Sequence, residues 1–212
     1  MNTRQQLIEA TAQVINARGL MGATTREIAR AAHCAEGTLY THFANKEELF
    51  MSALIAPLPN FVAVLEKQLS RVGEGEVQDN LTRIAHAAIT YYLHVIPLAS
   101  AFFADHSLLE RYRAKMHELD TGPQRIIARV TAYIQAEQRF GRISKQIDAQ
   151  AAALLLIGPC LQYAYMRSFL GSEPLATSEQ DLVADLVKAA MQGFSTATTT
   201  RLSSDVWRGE RI

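Results

Sequence analysis

The chain has 212 residues, 49% of them hydrophobic and 20% charged, a balance that fits one or two globular domains and excludes global disorder. Twenty-one Lys and Arg offset 21 Asp and Glu, so bulk charge drives binding to neither nucleic acid nor membrane, and only a local patch can. Cys34 and Cys160 lie far apart and match no zinc ribbon, redox pair or disulfide framework, and the first residues lack the apolar region of a signal peptide.

The apolar pattern is helical throughout, which makes the expected fold class all-α. Thr3 and Gln6 have capping-box spacing at the start of a first helix. Its face carries Leu7, Ala10, Val14 and Ile15, and Gly19 is placed to stop it. Thr24 and Glu27 repeat the box before Ile28, and Asn45 and Glu48 repeat it before Leu49, Phe50 and Leu54. Three start signals so close together predict several short helices. Beyond Pro57 the helices lengthen. Val62, Leu65, Leu69 and Val72 form a stripe that Gly73-Glu74-Gly75-Glu76 breaks. Leu81, Ile84, Ala88, Tyr92 and Val95 form another, expected to end near Pro97, and Leu109, Tyr112, Met116 and Leu119 form a third. Thr121-Gly122-Pro123 starts a helix bearing Ile127, Val130 and Ile134 that Gly141 ends. Asp148 can cap a helix from Ala149 to about Leu170, and Val183, Val187, Ala190, Met191 and Phe194 line a last one. The most apolar run, Ala151 to Leu161, has 11 residues. That is short of the roughly 20 needed to cross a bilayer, so a cytoplasmic protein is expected.

The stretch from Gly19 to Leu54 is the informative one. A short helix at about Thr25–Ala32, a tight turn at His33-Cys34-Ala35 and a second short helix at about Glu36–Phe43 have helix-turn-helix spacing. The second helix shows Glu36, Gly37, Thr38, Thr41 and His42 on its polar side, and small residues there let a helix sit deep in a major groove. Three motifs then stand together with Gly19: Thr25-x-x-Ile28-Ala29, Gly37-Thr38-Leu39-Tyr40-x-His42-Phe43, and Asn45-Lys46-Glu47-Glu48-Leu49. This segment resembles the DNA-binding domain of the TetR family of transcriptional regulators.

The resemblance implies a three-helix helix-turn-helix domain over 1–48 and an effector-binding and dimerisation domain over 49–195, and the Ser/Thr-rich composition of 196–212 reads as a flexible tail. It implies that Glu36, Gly37, Thr38 and Thr41 face base edges and that Thr25, Tyr40, His42 and Lys46 contact phosphate. Arg26 is placed to reach a groove, with a phosphate contact or a solvated charge as the alternative. Glu36 either reads a cytosine amino group or interacts favourably with its own helix dipole. Two features depart from the family's habit. Ala35 stands where a small hydroxyl residue usually caps the recognition helix, and the first 48 residues carry five Lys/Arg against five Asp/Glu.

Between Tyr91 and His106 the chain is rich in aromatics, and Pro159 interrupts a later helix. The resemblance makes these the surroundings of a small, largely apolar or aromatic effector, with Phe102, Phe103, His106, Tyr163 and Met166 as candidate lining. It also implies a homodimer built from about Ala149–Leu170 and Ser178–Phe194. Ala151, Ala152 and Ala153 would allow close approach there, and Leu154, Leu155, Leu182 and Leu186 would supply apolar area. Such a dimer expects an inverted-repeat operator on double-stranded DNA. HExxH, GxSxG, P-loop and dinucleotide patterns are absent, and no Glu stands three residues before any of the six His. No enzyme, metal, cofactor or membrane partner is therefore expected. The reading is a ligand-responsive regulator, more a repressor than an activator; a helical small-molecule binder, or an enzyme, that has lost operator binding is the alternative.

Overall fold

The computed structural model describes residues 2–56, 58–120 and 122–194; the expected tail over 196–212 lies outside them. Among the described residues the chain forms ten α-helices and no strand. The N-terminal unit contains α1 (Thr3–Gly22), α2 (Thr25–Ala31), α3 (Glu36–His42) and α4 (Lys46–Ile55). The C-terminal bundle contains α5 (Leu58–Leu69), α6 (Val77–Ala104), α7 (His106–Glu118), α8 (Pro123–Arg139), α9 (Ala149–Leu170) and α10 (Glu179–Phe194).

Local chemistry sets most of these boundaries. Thr24 Oγ1 accepts from the Glu27 amide (3.2 Å), and Asn45 Oδ1 accepts from the Glu48 amide (2.8 Å). Each satisfies one of the donors a helix start leaves open. Glu48 closes its motif on the Ala44 amide (2.7 Å), whereas Glu27 turns to Arg18 and Arg30, both at 3.0 Å. Asp148 Oδ1 caps α9 through the Ala151 amide (2.7 Å), as the sequence leads one to expect. Gly19 breaks the helical backbone with φ 68 and ψ 174, a region closed to most side chains.

Two expectations are corrected. The cap of α1 is Asn2, whose Oδ1 accepts from the Gln5 amide at 2.9 Å, so the helix begins at Thr3 rather than being capped by it. Pro97 does not end its helix, and α6 runs on to Ala104. Proline there removes only the hydrogen bond to the Leu93 carbonyl. The residues beyond it, Leu98 and Phe102, are anchored in a core of their own.

There are two cores. The first gathers Leu7, Val14 and Ile15 of α1, Ile28 of α2, Leu39 and Phe43 around α3, and Leu49, Phe50 and Leu54 of α4. It therefore reaches past residue 48 and also takes in Leu98, Phe102 and Leu108. The second core gathers Phe61 and Leu65 of α5, Leu81, Ile84 and Ala88 of α6, Val130 and Ile134 of α8, Ala152, Ala153 and Leu156 of α9, and Val183 and Val187 of α10. By length and composition α6 could cross a membrane, and it exceeds the Ala151–Leu161 run in this respect. Here its apolar face supplies both cores instead.

Among the described residues, one charged side chain lies fully inside the bundle. Glu137 is 0% exposed, and its carboxylate oxygens accept no hydrogen bond; Arg142 Nε stands 3.5 Å away. The Arg142 guanidinium also donates to the Gly75 carbonyl, so it ties the α5–α6 turn to the end of α8. Removing one partner of a buried pair strands the other charge. Arg142→Ala is expected to lower unfolding stability by about 3 kcal/mol in a denaturant titration. Adding Glu137→Gln to that variant should recover part of the loss.

Candidate nucleic-acid interface and ligand cavity

The helix-turn-helix forms around a turn in which His33 adopts φ 56, a left-handed conformation that costs a non-glycine residue roughly 1 kcal/mol. Ile28, Ala29 and Leu39 are buried on the inner faces of α2 and α3. That burial turns the other face of α3 outward. Glu36, Gly37, Tyr40, Thr41 and His42 are all exposed, and Thr38 is half-buried behind them. The four positions expected at base edges thus share a surface with Tyr40 and His42. Thr41 Oγ1 donates to the Thr38 carbonyl (2.7 Å), which fixes its rotamer without outside help. Arg26 is exposed at the start of α2.

Two expected phosphate contacts are engaged within the protein. Thr25 Oγ1 donates to Glu36 Oε1 at 2.5 Å, which joins the start of α2 to the start of α3. Glu36 lies in the first turn of α3 behind Ala35, which supplies no side-chain cap. A carboxylate at that position meets the positive end of the helix dipole. Lys46 folds its ammonium over the Phe50 ring, 5.0 Å from the centroid. Arg4, which the sequence reading did not single out, lays its guanidinium over Phe43 (4.8 Å) and approaches Ser52 Oγ (3.5 Å). It adds an exposed cation beside the end of the recognition helix. The signal in the sequence was a basic residue one turn before the first apolar stripe.

Gly37 is diagnostic. A Cβ built there meets nothing within 4 Å, so the folded chain does not require glycine at this point.

The bundle holds an apolar cavity of about 580 Å³ between α6, α7, α8 and α9. Tyr91, Tyr92 and Phe103 of α6, Tyr112 of α7, Ile126 of α8 and Leu161 and Tyr165 of α9 form much of its wall. No Asp, Glu, Lys, Arg or His lines it. Of the five expected lining residues, Phe103 alone stands on this wall. Phe102, one position before, lies in the N-terminal core and packs on Tyr112 with centroids 5.1 Å apart. His106 is exposed at the start of α7, and Met166 is half-buried off the wall. Tyr163 is buried, and its hydroxyl donates to Glu173 at 2.6 Å. Helical periodicity does not decide which side of a helix faces the void.

Burial pushes the Tyr91 phenol up to about 12 and moves Tyr92 and Tyr112 in the same direction, so the cavity's hydroxyls stay neutral. Burial also pushes the Cys160 thiol up to about 12, which makes it an unreactive core residue. Among the described residues no group of three or more His, Cys, Asp or Glu is arranged to hold a metal ion. His86 instead faces Glu179 at 3.6 Å, and His94 Nδ1 donates to the Thr90 carbonyl at 2.7 Å.

An exposed, small-residue recognition helix on a helix-turn-helix unit, joined to a helical bundle, defines a transcriptional regulator of the helix-turn-helix class. A family model described as bacterial regulatory proteins, tetR family, matches residues 7–53. The fatty acid metabolism regulator protein of Bacillus subtilis (strain 168) is 25% identical over 154 residues, covering 72% of this chain and 77% of its own length. Among solved structures, a TetR-family regulator from Mesorhizobium loti MAFF303099 superposes with a TM-score of 0.68 at 19% identity, over 91% of this chain and 94% of its own. The fatty acid degradation regulator FadR from Bacillus halodurans gives 0.66 at 19% identity, over 90% and 95%. The match places residues 7–53 with the DNA-binding domain of the tetR family, and the bundle shares its fold with solved structures of that family.

Two outcomes are expected. Gly37→Ala should stabilise the fold by up to about 0.5 kcal/mol, since alanine is the better helix former and nothing blocks it. The same variant should bind DNA more weakly, so thermal melting and anisotropy titration should move in opposite senses. The second outcome concerns alkaline pH. A phenol raised in the folded state contributes stability that is intact below the free value of about 10 and lost as pH rises through the folded value. Absorbance at 295 nm should therefore show late-ionising tyrosines, and unfolding should set in between roughly pH 10 and 12.

Proposed function

We propose that this chain is a homodimeric cytoplasmic repressor. It grips an inverted-repeat operator through two copies of α3 and releases it when a long apolar, acyl-type ligand fills the cavity between α6 and α9. The observation that carries the ligand class is the cavity itself. Its roughly 580 Å³ lies within the 300–1,000 Å³ usual for small-molecule sites, and no charged side chain lines it. Two of the similar proteins are described as regulators of fatty acid metabolism or degradation, which favours the same chemistry.

The dimer reading rests on α9. Leu154, Leu155, Leu161, Tyr165 and Phe169 are large, apolar and exposed along it, Phe169 by 77%. Ala152 and Ala153 face the core, which leaves Ala151 and Gly158 as the small residues on the outer surface. Leu182 and Leu186 of α10 are half-buried beside them. A two-fold pair through these helices would set two recognition helices about 34–36 Å apart, or a multiple of it, and an inverted repeat follows. On the operator, Glu36, Gly37, Thr38 and Thr41 face base edges, Thr25, Tyr40, His42 and Lys46 serve phosphates, and Arg26 reaches a groove. Lys46 must leave the Phe50 ring, and Thr25 must share its hydroxyl, to do so. The two internal contacts give a resting state for side chains that DNA recruits.

A random-library DNA selection with the purified protein, at two salt concentrations, tests the reader. One enriched inverted repeat is expected, and weak salt-sensitive binding with no enrichment would leave only the small-molecule binder. Tyr40→Phe and Lys46→Ala should weaken binding to all sequences alike, while Thr41→Ala should change preference among them. Palmitate or palmitoyl-CoA added to the selected complex should release it. Ser100→Trp, which builds a ring into the cavity wall, should bind DNA normally and ignore the acyl ligand.

A further inference from the structure

A second cavity, of about 450 Å³, lies at the seam between the helix-turn-helix unit and the bundle. Its walls come from α1, α4, α5 and α6. Ile8 and Ala12 of α1 and Phe61 of α5 give it an apolar floor, and Glu9, Asn60 and His94 stand on its rim. Its polar lining mixes amides and hydroxyls with the single carboxylate of Glu9. Glu9 Oε1 accepts from the Gln5 side-chain amide at 3.0 Å, and no second bond to the carboxylate is seen among the described residues. His94 Nδ1–H donates to the Thr90 carbonyl, which leaves Nε2 as the ring nitrogen available at the rim. No Lys or Arg lines the cavity, and the nearest cation on α1's first turn, Arg4, is turned to Phe43 and Ser52. This is the opposite of a carboxylate or phosphate site.

We propose that this seam is a second ligand site, distinct from the acyl cavity, and that it takes a compact aromatic or alicyclic amine. The apolar body fills the floor between α1 and Phe61, and the ammonium meets the Glu9 carboxylate and the acceptors on the rim. The volume suits a two-ring body, and a buried ring with one charge-assisted contact is the usual economy of such a site. A ligand there touches the DNA-binding unit and the bundle at once, so its binding is linked to how the two sit together. Tyr91 adds a second link. Its ring, stacked on Phe61 at 5.2 Å, walls both cavities, so occupancy of either changes a wall of the other. The amine and the acyl ligand are therefore coupled, and the coupling is reciprocal. This regulatory consequence rests on the operator-release reading; the binding itself does not.

Isothermal titration of the full chain, without DNA, separates the two. The probes are 1-naphthylmethylamine and 1-naphthoate, which share an apolar body and carry opposite charges. The amine is expected to bind at least tenfold more tightly than the acid. Glu9→Gln should cut that preference about fivefold. Ala12→Trp should abolish amine binding by filling the floor. Asn60→Trp, at an exposed rim position that tolerates a large ring, should weaken it at least tenfold and keeps the test valid if Ala12→Trp does not fold. Ser100→Trp, in the other cavity, should keep amine binding, altered only by the coupling that Tyr91 carries between the two cavities. Equal or tighter binding of 1-naphthoate, no binding of the amine to the unaltered chain, or amine binding that survives Asn60→Trp and is lost in Ser100→Trp would overturn the proposal.

Discussion

Helix α6 is the constraint on which the rest of the molecule depends. Its first half supplies Leu81, Ile84, Ala85, Ala88 and Ile89 to the bundle core, and its last turns supply Leu98 and Phe102 to the core of the DNA-binding unit. One continuous helix is thus packed into two hydrophobic centres. Close-packed cores deform little, so a displacement at one end of α6 is carried to the other rather than absorbed. Pro97 stands between the two anchor sets and lacks the amide that would tie it to Leu93. The helix is weakest where a bend would do least damage to either core. Both cavities also line α6, one on each side of Tyr91.

The recognition surface shows the same division between what the fold needs and what it leaves open. Leu39 and Phe43 hold α3 in place from within. On the outer face, nothing in the chain accounts for Gly37, and the helix start at Ala35 has no side-chain cap. Open helix-start amides and a missing Cβ are costs to stability that a nearby phosphate and a close groove wall would offset. Glu36 works against that attraction by placing a carboxylate at the same helix start, and its bond to Thr25 keeps the charge occupied. On the proposed operator, a neutral domain with such an arrangement would depend on shape and specific contacts more than on bulk attraction to DNA.

How much was legible in the sequence follows from which signals are local. Capping oxygens at Thr24, Asn45 and Asp148 act over three residues, and all three stand where the spacing puts them. The bounds of α9, and the Pro start of α8, were readable for the same reason. Pro97 was misleading because its local penalty is outweighed by burial of Leu98 and Phe102, contacts made with residues some 50 to 90 positions away. The same limit applies to the cavity. Phe102 and Phe103 are neighbours in sequence, yet one is 1% exposed in a core and the other 74% exposed at a cavity wall. No helical period separates adjacent residues on a helix that has apolar surroundings on two sides. Glu137 was equally hidden, since nothing near it in the sequence announces that Arg142 will be its partner inside the bundle.

The two faces of α9 bring the proposed ligand and the proposed dimer into contact. Ala152, Leu156, Cys160 and Tyr163 face inward and are fixed by the bundle core. Gly158, Leu161, Gln162 and Tyr165 face outward and also line the acyl cavity. They belong to the same stripe as Leu154, Leu155 and Phe169, on which the dimer reading rests. A ligand that presses on Leu161 and Tyr165 therefore presses on surface that a second copy would cover. In such a dimer two routes lead from the cavity to the operator. One runs along α6 to the core beneath α3 and alters the tilt of one recognition helix. The other runs across α9 and alters the separation of the two. Spacing across an inverted repeat is the quantity a two-fold reader is most sensitive to, because half-sites on B-form DNA recur only once per helical turn. A modest shift on α9 is enough to spoil the match, even where each recognition helix keeps its own fold.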